Sequence, residues 1–170
     1  MISLQSQTLT EACRRRSLAI LQARLCDALD LESQMRQLHW SVVTVDPYTL
    51  RPVFRTLACH TWQVAEEIAD GIWRLGETPD LRPALTIRSS ALPPFPITGG
   101  AEMHIKVVST SLIHLAKLLQ ASAEATRDLG DLESFDRLHR LSAGLNDRIP
   151  ILASQLRAAI RPQSPPMEFH

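Results

Sequence analysis

His39 stands beside Trp40 in the stretch "MRQLHW", and Glu66 and Asp70 follow on a later helical segment, four residues apart. Carboxylates at that spacing project together from a helix and repel unless something positive sits between them. Two such oxygens with an imidazole suit ferrous iron or another divalent ion. Between them in the chain come Arg51 and Arg55, also four apart. A guanidinium is permanently charged and only donates, so neither arginine can bind a cation. Paired acids on a helix are commonly no more than a solvated face, and the residues around them decide the reading. Here Trp62 and Trp73 bracket the acids. At about 100° per residue, both tryptophans share a face with Glu66, Ala69 and Asp70, opposite an apolar face of Leu57, Thr61, Val64, Ala65, Ile68, Ile72 and Leu75. Tryptophans on the side away from a bundle core point to burial against another subunit. The alternative is cover by a linker of the same chain.

The elements that must position these residues are helices, since no segment sustains period-two alternation. The first spans about Thr8 to Val43, with Thr8 or Thr10 as N-cap and Leu18, Leu21, Leu25, Leu29 and Met35 at helical spacing. The second begins near Arg51, with Pro52 tolerated in its first turn, and stops at "RLGETP". A linker with five prolines from Pro79 to Pro96 follows, with room for a short helix around Leu85 to Ser90. Two further helices run from about Gly100 to Leu129 and from about Leu132 to Ile160, the last kinked at Pro150. Residues 162–170 read as a flexible tail. Two helix pairs joined by one long crossover give an all-α, ferritin-like four-helix bundle as the expected fold.

Composition restricts the function classes. The 170 residues, 45% of them apolar, can bury one sizeable core, and a single domain over 1–170 is expected. Formal net charge is zero and lysine occurs only at 106 and 117, so no overall field draws the chain to nucleic acid. No apolar run approaches the roughly 18 residues of a membrane span and no signal peptide is legible, which gives a cytoplasmic expectation. Cys13, Cys26 and Cys59 form no CxxC pair and read as reduced, partly buried thiols. His60, His104, His114 and His139 pair with no acid at helical spacing and read as surface or satisfied histidines. Arg14 to Arg16 circle most of a helix and read as solvated.

Three stretches, "DLESQMRQLHWSV", "EEIADGIWRLGETP" and "GDLESFDRLHRL", together resemble the Dps mini-ferritins, the DNA-binding proteins from starved cells. The second is similar to the pattern D-x-x-A-E-R-x-x-x-L-G and the third to G-D-x-x-[ST]-x-D-x-L, and the likeness covers nearly the whole chain. The resemblance implies a twelve-subunit shell with a di-iron ferroxidase centre across each twofold interface. On that correspondence His39, Glu66 and Asp70 match metal ligands, the two acids having exchanged types. The second histidine of the family pattern falls at Arg51 and an early aspartate at Arg55. Pro52 takes the place of an acid that helps nucleate mineral, and Pro150 that of a common tryptophan. Asp131 and Asp136 match acids near the family's threefold pore, although capping of a helix start explains Asp131 equally well. No lysine-rich N-terminal tail is present.

The functional expectation is a Dps-like iron-binding and iron-storage protein that protects against oxidative stress, with a degenerate ferroxidase centre between subunits. Ferrous iron is the implied cargo, a homo-oligomer (a dodecamer on the resemblance) the implied assembly, and DNA binding weak or absent. At the degenerate site Arg51, Arg55, Trp62 and Trp73 would make the interface pairing. The alternative, from another class, is a non-catalytic cage or partner-binding shell that has lost ferroxidase activity.

Overall fold

A computed structural model describes residues 9–41, 50–96 and 101–160. Its helices are α1 (Glu11–Ser41), α2 (Leu50–Arg74), α3 (Pro83–Ser89), α4 (Ala101–Asp128) and α5 (Leu132–Ile160). Among the described residues there is no strand. α1 packs on α2 and α4, α5 packs on α4 and α2, and the short α3 rides on α1. This is the expected bundle of two helix pairs with a helix in the crossover. Thr8, Val43, Gly100 and the tail at 162–170 lie outside the described residues.

Local chemistry sets the helix ends. Thr10 caps α1, its Oγ1 accepting from the Cys13 N–H at 3.2 Å. α2 and α4 both stop at a glycine in the left-handed region, Gly76 at φ 89° and Gly130 at φ 78°. In each case the next N–H reaches back to close the last turn, Glu77 to the Ile72 carbonyl at 3.3 Å and Asp131 to that of Thr126 at 3.0 Å. Arg14 reinforces the first stop by donating to the Leu75 carbonyl at 2.9 Å. α5 runs through Pro150, whose missing N–H leaves the carbonyl of Asn146 without its helical partner.

The core is the one that helical spacing implies. Leu21, Leu25, Leu31, Met35 and Leu38 of α1 meet Phe54, Ile68 and Ile72 of α2, Leu115 and Leu119 of α4, and Leu138 of α5, all at most 2% exposed. Leu18 and Leu29 are only partly buried at its edge. Complete burial of each such side chain is worth about 1.5–3 kcal/mol, enough to hold α2 in register and aim its other face outward.

The crossover is fastened to α1 by polar side chains. Gln22 exchanges two hydrogen bonds with the Asp80 backbone, donating to its carbonyl at 2.8 Å and accepting from its N–H at 3.0 Å. Asp27 accepts from the Ala91 N–H at 2.7 Å, Ser90 Oγ donates to Asp30 at 2.6 Å, and Gln34 donates to the Pro93 carbonyl at 3.1 Å. Asp27 is fully buried, with Arg24 at 2.8 Å. Burial pushes its carboxyl above the ordinary range, against the opposing pull of the Ala91 N–H and Arg24.

Candidate functional site

The last turns of α1 carry His39 to the start of α2. His39 Nδ1 lies 3.1 Å from the Arg51 carbonyl, and Arg51 Nη2 lies 3.2 Å from His39 Nε2. A guanidinium can only donate, so Nε2 must accept and Nδ1 must carry the proton that goes to the carbonyl. The Arg51 guanidinium also sits 5.1 Å from the centre of the Trp40 ring, which meets His39 edge-on at 5.2 Å. Both ring nitrogens of His39 are thus spent on one arginine.

Glu66 and Asp70 lie 15 and 19 residues beyond Arg51 on the same helix, more than 20 Å along its axis at about 1.5 Å per residue. One chain therefore does not bring His39 and the two acids together. Among the described residues no group of three or more histidine, cysteine, aspartate or glutamate side chains is arranged to hold a metal ion.

The two acids are not equivalent. Asp70 accepts from Arg74 Nε at 2.8 Å and lies 3.0 Å from Arg137 Nη2. Burial pushes its carboxyl up, but Arg74 and Arg137 together outweigh that and hold it below the ordinary carboxylate range. Arg137 reaches it from α5 across Gly71, where an added Cβ would stand 3.2 Å from the arginine's Cδ and Nε. It anchors itself by donating to the Glu67 carbonyl at 2.7 Å. Glu66 is exposed and has no ion-pair partner among the described residues, and the same holds for Arg55.

Sequence reasoning found the acids but not Arg137. Arg74 was legible as the residue four beyond Asp70, whereas Arg137 enters only through the packing of α5 on α2. Trp62 and Trp73 are 39% and 63% exposed in the lone chain, so the crossover covers neither of them fully. Trp62 lines an open groove of about 1170 Å³ along α2 together with Glu66, Asp70, Asp136, Arg137 and Arg140.

The remaining candidates divide. Asp131 is 3% exposed and caps α5, its Oδ1 accepting from the Ser134 N–H at 3.1 Å, while Asp136 is exposed on the next turn. His60 bridges Gln63 at 3.3 Å and Arg148 at 2.6 Å, and His139 is exposed and stacks on Phe135. His104 departs from expectation. It is 4% exposed against Phe95, with Nε2 lacking a partner among the described residues, because its position on α4 faces the crossover. The thiols also differ from one another: Cys26 is fully buried, which pushes it up, whereas Cys59 is exposed on α2.

Residues 18–159 match the family model of the ferritin-like domain. No curated protein sequence matches significantly. Solved structures match over most of their length. DpsC from Streptomyces coelicolor superposes with a TM-score of 0.81 at 18% identity, covering 92% of this chain and 90% of that one. A Dps1 variant from Mycobacterium smegmatis gives 0.79 at 21% identity, covering 87% and 99%. The Dps protein from Vibrio cholerae O1, described as one of a broad superfamily of ferritin-like diiron-carboxylate proteins, gives 0.79 at 13% identity, covering 87% and 93%.

Proposed function

The chain belongs to the ferritin-like family, and from that premise we propose that it is a Dps-like, shell-forming protein of iron storage and oxidative-stress protection whose ferroxidase centre between subunits is degenerate. The observation that carries the degenerate half of this reading is the contact between Arg51 and both ring nitrogens of His39. A metal ion could bind Nε2 only after that guanidinium left. Unit charges about 4 Å apart interact by about 4 kcal/mol at an effective dielectric near 20, and a divalent ion doubles the repulsion. Asp70, already neutralised by Arg74 and Arg137, offers less to a cation than a bare carboxylate.

In the proposed assembly, a homo-oligomer and on the resemblance a cytoplasmic dodecamer, Arg51 and Arg55 of one subunit face Glu66 and Asp70 of its neighbour. Their charge stands in for that of iron at the centre. Ferrous iron is then cargo that His39, Glu66 and Asp70 bind poorly, and the exposed Asp136, rather than the buried cap Asp131, is the candidate for its entry path. A second reading, a cage without ferroxidase activity, is favoured by the same engaged histidine.

Ferrous oxidation by peroxide tests the proposal. The wild type is expected to oxidise slowly or not at all, and Arg51→His with Arg55→Asp to recover activity. Wild-type rates typical of complete di-iron sites would overturn it, and a double variant that assembles but stays inert would favour the non-catalytic cage. With no net charge, binding to duplex DNA is expected to be weak and to vanish near physiological salt in a gel-shift series.

A further inference from the structure

The outward stripe of α2 carries a basic end and an acidic end. At about 100° per residue, Arg55, Trp62, Glu66 and Trp73 fall within about 40° of one another. Arg55 and Glu66 are eleven residues apart, about 16 Å along a helix rising about 1.5 Å per residue, too far to pair with each other. Their charged neighbours are already engaged in the chain, Arg51 by His39 and Asp70 by Arg74 and Arg137. Arg55 and Glu66 are both exposed, and among the described residues neither has an ion-pair partner. Among the described residues the stripe therefore presents one cation and one anion without an ion-pair partner, with an exposed tryptophan between them.

We infer that α2 packs antiparallel on α2 of a second copy, in a register centred between residues 60 and 61, so that Arg55 of each copy pairs with Glu66 of the other. A parallel arrangement would set arginine on arginine and glutamate on glutamate. The antiparallel one satisfies both ends twice through a single twofold axis, as an isologous contact requires. Trp62 then lies near the axis between the two ion pairs and supplies the apolar centre with a polar rim. The inference rests on the shell reading for the existence of a contact on this face and narrows its chemistry. The intrachain partners of Arg51 and Asp70 make Arg55 with Glu66, rather than all four charges, the pairing that selects the register. Such a contact weakens in salt and is indifferent to chelators.

Sedimentation velocity on the full chain, over protein and NaCl series with EDTA present, tests it. Arg55→Glu and Glu66→Arg should each weaken self-association about tenfold or more, since each sets like charges opposite at two symmetric places. Both residues are exposed, so far-UV circular dichroism should be unchanged. The double variant R55E/E66R should return to within about threefold of wild type, because opposite charges face again. Single variants that associate like wild type, or a double variant as weak as the singles, would overturn the pairing. So would dissociation of the wild type by EDTA. Trp73→Glu separates the two levels of the argument. If it disrupts assembly while the charge variants do not, the face is an interface and only the register is wrong. If it too leaves assembly intact, the shell reading loses its contact as well.

Discussion

Along the seam between α1 and the crossover, Gln22, Asp27, Asp30 and Gln34 each close on a group of the same chain. Along the outward face of α2, Trp62 and Trp73 are 39% and 63% exposed, and Arg55 and Glu66 have no ion-pair partner among the described residues. Both surfaces are helical and both mix polar with apolar residues. The first is complete within one molecule, because a Pro-rich strap with few helical hydrogen bonds of its own needs outside partners and α1 supplies them. The second leaves apolar area and charge unsatisfied in one molecule, as the proposed contact with another subunit requires.

The largest effect should come from breaking the open surface. Trp73→Glu is expected to abolish the closed oligomer while the isolated subunit keeps its helical content, since the new charge would be buried in an apolar contact at a cost of several kcal/mol. Sedimentation and circular dichroism read the two outcomes, and a wild type that is monomeric at micromolar concentration would remove the interface altogether. On the closed surface, Asp27→Ala should lower subunit stability by about 3 kcal/mol in thermal unfolding, because it strands the Ala91 N–H and the Arg24 guanidinium in a buried place. A loss below about 1 kcal/mol would show that the seam is not held there.

Gly71→Ala should act between the two surfaces. The added methyl meets Arg137 at 3.2 Å, so the arginine must shift and Asp70 loses one of its two cations. The Asp70 carboxyl, now held below its ordinary range, should titrate closer to it, by carboxylate NMR. The smallest effect concerns Asp80, held at about 2 by Arg82. A carboxylate with a depressed pKa adds stability above its unfolded value near 4, lost as pH falls towards 2. Hydrogen exchange at the crossover amides should therefore quicken across that window in the wild type and not in Asp80→Asn.

Much of this was legible before any coordinates. The spacing of Leu57, Thr61, Val64, Ala65, Ile68 and Ile72 marks the buried face of α2, and all six are buried. The glycine stop after Leu75, the proline start at Pro52 and the limits of α5 follow from rules that act within a few residues. Trp62 and Trp73 opposite that face left two expectations open, burial against another subunit or cover by the crossover, and the lone chain leaves both partly exposed. The histidine at 104 was misread because nothing near it in the chain shows that the crossover passes over it.

What the sequence alone determined is therefore the set of helices and their buried faces. These are properties of residue type and of a period of about 3.6, both local to the chain. Tertiary structure decided which charges are free. Arg51 is turned onto His39 because the end of α1 meets the start of α2, and Asp70 is taken by Arg137 because α5 lies against α2 across Gly71. Ion pairing depends on distances of a few ångströms between groups remote in sequence, and only packing sets those distances.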